Sequence, residues 1–163
     1  MKQPPPSSHS PADYPPPDWA QALRAKGLRV TTQRLTVLDF IHSYPHTDAE
    51  TVFQGVRQTL PSISVQAVHI IVQDLSHEGL IRRISPPDSA SARYETRIDD
   101  NHHHVQCIHC GRLEDVDCVV GHAPCLDPSH THGMRIIEAS IVFRGICHDC
   151  ETVSPQNKKE VKT

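Results

Sequence analysis

Two pairs of cysteines have the spacing that a tetrahedral metal site needs. Cys107 and Cys110 form one C-x-x-C pair, and Cys147 and Cys150 form a second pair late in the chain. Zinc favours four thiolates, and each pair supplies two sulfurs at a suitable separation. A redox-active thiol pair is the alternative, but a redox motif would not need the second pair. We therefore predict a structural zinc site that joins two distant strands.

Three consecutive histidines precede the first cysteine pair in the segment HHHVQC. If this segment is a β-strand, successive side chains alternate between its faces. His102 and His104 then share one face, while His103 and Cys107 lie on the other. Two histidines at this spacing can bind one metal ion, and three surface histidines on a polar strand are the alternative. The outer histidines and the cysteines would thus serve two different places.

The elements that must position these residues change in character along the chain. Helical periodicity extends from Trp19 to about Leu80 in four segments, and the third is expected to open with a capping box of Thr47 and Glu50. The strand-like pieces LIRRI and ARYET follow directly. Four helices and a two-stranded flap indicate a winged helix-turn-helix arrangement, with a plain helical bundle as the alternative. Beyond residue 97, the segments HHHVQC, RLEDV and RIIEASIVFRGIC read as strands.

These patterns predict an α+β protein with four regions. Residues 1–17, with seven prolines, are expected to be a disordered arm. Residues 18–96 form the winged-helix DNA-binding domain, and residues 97–151 a small metal-binding α/β dimerisation domain. Residues 152–163 are expected to be a disordered tail. The strand RIIEASIVF is the best candidate for contacts between two protomers.

The ends and the composition of the chain favour a cytoplasmic protein. It has no apolar run of about 18 residues that would span a membrane, and its start lacks the apolar core of a signal peptide. Cysteines in the cytoplasm are more often metal ligands or redox thiols than disulfides. Cys118 and Cys125 lie outside the two pairs, and we interpret them as either small core residues or an auxiliary redox pair.

A basic segment near the start suits contact with DNA, although the net charge is −3. Residues 19–34 carry four basic side chains and no acid, whereas residues 95–150 are acidic overall. A basic helix face that simply meets solvent is the alternative. We predict phosphate contacts from Arg29, Gln33 and Arg34, which would position the domain without specifying sequence. Base contacts are predicted on the polar side of the fourth helix, from Ser64, Gln66, His69, Ile70 and Gln73.

Motifs between about residues 20 and 150 occur together in a recognisable order. They are GLRVTTQR, HTDAETVF, SVQAV followed by EGLIRR, RYE, DNHHHVQCIHCG and the terminal CHDC. This set resembles the ferric uptake regulator family of dimeric, metal-dependent repressors. The segment DVDC…GHAPCL is most similar to the actinobacterial branch that controls catalase-peroxidase genes. The resemblance implies a homodimer on an inverted-repeat DNA operator, and no enzymatic activity.

The resemblance also implies a regulatory metal site. Its ligands would be His46, Glu95, His102, His104 and Asp115. Nitrogen and oxygen ligands of this kind accept iron(II) or manganese(II). Within the family an aspartate at position 115 goes with peroxide sensing, in which a ligand histidine is oxidised, and the matching candidates are His46 and His102. An iron- or zinc-responsive uptake repressor is the alternative within the family, and a C-x-x-C thiol oxidoreductase is the alternative outside it.

Overall fold

The computed structural model describes residues 15–87, 89–98, 102–117, 130–135 and 141–153. The chain divides into two compact units between Asp100 and Asn101. Helices and sheets are both present, which confirms the α+β prediction. Among the described residues, no helix combines the length and the apolar character needed to cross a membrane.

Four helices make up most of the first unit, and each begins at a side chain that caps its first turn. The caps Asp18, Thr31, Asp48 and Ser64 each accept a hydrogen bond from the backbone N–H three residues later. The helices are α1 (Trp19–Ala25), α2 (Thr32–Ser43), α3 (Ala49–Thr59) and α4 (Val65–His77).

The predicted capping box of the third helix is wrong by one residue. The cap of α3 is Asp48, whose Oδ1 accepts from Thr51 N–H at 2.8 Å. Thr47 does not cap the helix, because its backbone is engaged elsewhere: its carbonyl accepts the N–H of Tyr94 at 2.8 Å. The segment before α3 therefore pairs with a distant strand before the helix starts.

Apolar side chains from all four helices meet in one core. Burial is complete for Leu23 of α1, for Val37, Leu38 and Ile41 of α2, for Val52 of α3 and for Val68, Val72 and Leu75 of α4. In α4 the buried set includes Ile71 rather than Val65, because Val65 lies in the first turn and is only half-buried. Gly55 of α3 packs directly against the ring of Phe40, with no room for a Cβ.

A two-stranded antiparallel wing follows the helices, as the sequence pattern predicted. It consists of β1 (Arg82–Ile84) and β2 (Arg93–Glu95), with Arg82 opposite Glu95. Strand β2 also forms a bridge to Thr47 through Tyr94. The wing is thereby fixed to the segment between α2 and α3.

The second unit contains a three-stranded sheet with the order β4-β3-β5. Its strands are β3 (His102–Cys107), β4 (Leu113–Asp117) and β5 (Val142–Gly145). Strand β3 pairs antiparallel with β4, placing His104 opposite Asp115, and parallel with β5, placing Cys107 opposite Gly145. A short helix that the sequence reading did not predict, α5 (His148–Val153), begins within the second cysteine pair.

Candidate metal centres and DNA-binding face

The four paired cysteines come together at one end of the sheet. Their sulfur atoms all lie within 4.8 Å of one another, and Cys110 Sγ is 3.7 Å from Cys147 Sγ. Four sulfurs bound tetrahedrally to one zinc ion at about 2.3 Å would be about 3.8 Å apart. The positions of the cysteines therefore fit a tetrathiolate zinc site without rearrangement of the backbone.

Strand pairing explains how residues so far apart in sequence meet. Cys107 is the last residue of β3, and the chain then turns at Gly111, whose positive φ of 72° favours glycine. The Ile108 N–H donates to Gly145 O at 2.9 Å, which continues the parallel pairing to the end of β5. Because parallel strands end at the same edge, the second cysteine pair emerges beside the first.

The thiols of the cluster differ strongly in acidity. Burial raises the pKa of Cys107, but backbone N–H groups of Cys110, Cys147 and His109 stabilise its thiolate and bring the pKa to about 6. Hydrogen bonds with the sulfurs of Cys147 and Cys110 raise the pKa of Cys150 to about 12. A low pKa alone would also suit a redox thiol. Cys107 is buried among three further sulfurs, however, and that arrangement suits a metal ligand better than a nucleophile.

In the first unit, a histidine and a glutamate form a buried pair. His46 Nε2 lies 3.0 Å from Glu95 Oε2, and Glu95 is completely buried. Arg82 Nη1 lies 3.5 Å from the other carboxylate oxygen of Glu95. His46 has a φ of 58°, in the left-handed region that few non-glycine residues adopt. A buried carboxylate beside an imidazole in a constrained conformation is an arrangement that can accept a metal cation.

In the second unit, two histidines and an aspartate converge on the sheet. His102 Nε2 and His104 Nε2 lie 3.7 Å and 3.5 Å from the same oxygen, Asp115 Oδ1. Both imidazoles are buried, and their rings meet edge to face at 4.9 Å. His103 points to the other side of the strand, where its ring lies 6.1 Å from the ring of Phe143. Three donor atoms are thus gathered on one face of the sheet, as a metal site requires.

The predicted DNA contacts fall into two groups. On α4, the side chains of Gln66, His69, Ile70 and Gln73 are exposed, and Ile70 is 59% exposed despite being apolar. The hydroxyl of Ser64 accepts the N–H of Ala67 at 3.1 Å as the helix cap. The exposed side of α4 therefore offers amide, imidazole and aliphatic groups to a partner.

The predicted phosphate contacts differ in the same way. Arg29 and Gln33 are exposed. Arg34 instead donates to Asp74 Oδ2 of α4 at 2.7 Å and to Arg29 O at 3.0 Å. Its guanidinium thus links α2 to α4, and a phosphate would have to compete with Asp74 for it.

Two further observations complete the inventory of predicted residues. Cys118 and Cys125 lie outside the described residues. Arg82, which the sequence reading missed, contacts Glu95 because the two residues face each other across the wing hairpin. Pairing the strand-like segments ARYET and LIRRI by register would have indicated this contact.

Comparisons with known proteins agree on one family. Residues 25–144 match the model of the ferric uptake regulator family. The chain is 48% identical over 134 residues to the transcriptional regulator FurA of Mycobacterium tuberculosis, covering 82% of this chain and 90% of that protein. It is 29% identical over 140 residues to the peroxide-responsive repressor PerR of Staphylococcus saprophyticus, covering 82% and 90%.

A solved structure shows the same fold. The ferric uptake regulator of Vibrio cholerae superposes with a TM-score of 0.66 at 21% identity, covering 80% of this chain and all of that one. Proteins of this family are metal-responsive, DNA-binding and dimeric transcriptional regulators rather than enzymes. The chain belongs to the ferric uptake regulator family.

Proposed function

We propose that this protein is a metal-dependent transcriptional repressor that senses peroxide and controls oxidative-stress genes. The observation that carries the proposal is the convergence of His102, His104 and Asp115 on one face of the sheet, with a second donor pair, His46 and Glu95, in the DNA-binding unit. Both sets offer only imidazole and carboxylate groups. That chemistry accepts iron(II) or manganese(II), in contrast to the four sulfurs of the zinc site.

The five residues would act as ligands of one regulatory metal ion. Because they belong to both units, a shared ion would favour the arrangement of the units that it binds most tightly. A preference of about 1.4 kcal/mol shifts the balance tenfold, which one metal–ligand interaction can supply. Residues 18–96 would then bind DNA, and residues 97–151 would hold two protomers together on an inverted-repeat operator. This repressor would act in the cytoplasm.

The cysteine cluster would have a separate and permanent role. We assign Cys107, Cys110, Cys147 and Cys150 to structural zinc, since their sulfur spacing fits a tetrahedral ion. Such a site holds the ends of β3 and β5 together whether or not the regulatory metal is bound. Removal of regulatory metal should therefore leave the second unit folded.

The peroxide subtype depends on which residues would be oxidised. Iron(II) can supply electrons to peroxide, whereas manganese(II) in the same ligand set serves as a control that reacts far less. His46 and His102 are the candidates for gaining oxygen, as the family resemblance implies. Each is buried with its Nε2 close to a carboxylate, so oxidation of either would remove a ligand from its half of the site.

One experiment tests the proposal directly. Binding to a fluorescent fragment of the protein's own promoter is measured with iron(II) or manganese(II), before and after peroxide, and the peptides containing His46 and His102 are analysed by mass spectrometry. We expect only the iron form to lose DNA, with one added oxygen on one of these histidines. Loss of DNA without a mass change in either peptide would contradict the sensing mechanism.

The second candidate is an iron- or zinc-responsive uptake repressor. The same nitrogen and oxygen donors favour it equally, because such a site can report metal concentration without reacting. In that case DNA binding would follow the concentration of free metal and would survive peroxide treatment. The manganese and iron arms of the experiment separate the two functions.

A further inference from the structure

His42 lies where three elements of the first unit meet. In the last turn of α2, its Nδ1 is 3.1 Å from the hydroxyl of Thr96, just beyond β2. Its ring meets the indole of Trp19, the first residue of α1, edge to face at 5.8 Å. His42 Nε2 and Trp19 Nε1 are both shielded from solvent, and neither has a hydrogen-bond partner within the described ranges of the chain.

The two buried nitrogen atoms are chemically complementary. An indole N–H can only donate a hydrogen bond, so the group that matches it must accept one. His42 accepts at Nε2 when its proton is on Nδ1, and the Nδ1–H then donates to Thr96 Oγ1. A small rotation of the rings, or one buried water between them, would satisfy both nitrogens. The surroundings therefore favour one tautomer of His42, in which Thr96 is the acceptor.

The position of this hydrogen bond matters because of what lies beside it. A series of contacts joins the segment 42–48 to the wing strand. Arg93 Nη1 lies 3.4 Å from Asp48 Oδ2, and Tyr94 N–H donates to Thr47 O at 2.8 Å. The pair of His46 and Glu95 comes next in the series. The contact of His42 with Thr96 follows it, and thus holds the residue directly after Glu95.

We propose that His42 is a positioning residue for the regulatory metal, fixing Glu95 relative to His46 through its hydrogen bond to Thr96. The inference rests on the proposed role of His46 and Glu95 as ligands. His42 is not itself a ligand, since its Nδ1 contacts Thr96 and its Nε2 faces Trp19. It acts by keeping the strand end in place, so that the carboxylate meets the ion in a prepared position.

Matched substitutions separate the two nitrogens of His42. In His42→Asn the amide replaces Nδ1 and can still donate to Thr96, whereas in His42→Gln it lies near the position of Nε2. Thr96→Ser keeps the hydroxyl, and Thr96→Val removes it while keeping the shape of the side chain. We expect His42→Asn and Thr96→Ser to bind manganese(II) like the unchanged protein. His42→Gln and Thr96→Val should bind it about tenfold more weakly.

Two controls make the outcome decisive. In the protein without regulatory metal, ¹⁵N NMR of the imidazoles should show His42 protonated at Nδ1, and Thr96→Val should alter that signal. Unfolding temperatures identify any variant whose binding is weak because it is unfolded. Equal manganese affinity for Thr96→Val and Thr96→Ser, with His46→Ala clearly weaker, would overturn the positioning role alone. If His46→Ala also binds normally, the regulatory site itself is wrong and the inference fails with it.

Discussion

The left-handed conformation of His46 leads to a prediction about stability that does not depend on metal binding. His46 has a φ of 58° and is only 8% exposed, so its backbone cannot relax by moving into solvent. We compare His46→Gly with His46→Ala. Both changes remove the imidazole and leave Glu95 with Arg82, so the loss of side-chain contacts is nearly the same in the two variants.

The difference between the variants isolates the backbone cost. A left-handed conformation costs an L-residue about 1–2 kcal/mol, and glycine avoids this cost. Glycine loses more conformational entropy on folding, by about 0.5–1 kcal/mol. His46→Gly should therefore be more stable than His46→Ala by about 1 kcal/mol, which in a domain of this size raises the Tm by about 4–8 °C. Asparagine tolerates the left-handed region, so His46→Asn should fall between them.

Urea unfolding of the three variants, followed by circular dichroism after removal of regulatory metal, measures this order. None of the variants should show a manganese-dependent increase in DNA affinity, because all lack the imidazole. An alanine variant as stable as the glycine variant would refute the reasoning, since it would mean that residue 46 is not held in the left-handed region. In that case the prepared conformation of the histidine would need another cause.

Three further predictions concern packing, DNA binding and the thiols. Gly55→Ala should destabilise the protein by about 1–3 kcal/mol, because the new methyl group would overlap the ring of Phe40; Gly145→Ala, with open space at its Cβ, is the control and should change urea stability by less than about 0.5 kcal/mol. Arg29→Ala should reduce the slope of log affinity for DNA against log salt by about 0.9, whereas Arg34→Ala should leave it unchanged, because Arg34 contacts Asp74; equal changes in slope would show that Arg34 also binds phosphate. In the metal-free protein, the lowered pKa of Cys107, about 6 against an ordinary 9.0, means that its thiolate stabilises the folded state fully above about pH 9 and loses this contribution as the pH falls through about 6. Alkylation of Cys107 followed by mass spectrometry should show a midpoint near pH 6, and a midpoint near 9 would contradict the hydrogen bonding described for its sulfur.

Local signals in the sequence were enough to predict most of the fold. Helix caps such as Asp18 and Ser64 are short-range features, and the alternation of buried and exposed residues around His103 follows from strand geometry alone. The meeting of the two cysteine pairs was predictable because four thiolates at this spacing serve one kind of ion.

The features that could not be predicted depend on contacts between distant residues. Arg34 reads as a free basic side chain until α2 packs on α4 and brings Asp74 within 2.7 Å. Thr47 is an acceptable helix cap until β2 takes its carbonyl. The left-handed conformation of His46 has no local signal of the kind that glycine would provide. Each of these depends on tertiary packing, which outweighs local preference.

The parallel pairing of β3 with β5 has a consequence for the connectivity of the chain. Cys107 and Cys110 follow the end of one strand, and Cys147 and Cys150 follow the end of its neighbour. A metal ion shared by the four sulfurs would close the intervening stretch of chain into a loop, in the way that a disulfide does. The peptide bonds within that loop would then no longer be needed to hold the two strands together. A chain cut once between them would remain a single particle, and a chelator rather than a denaturant would release its fragment.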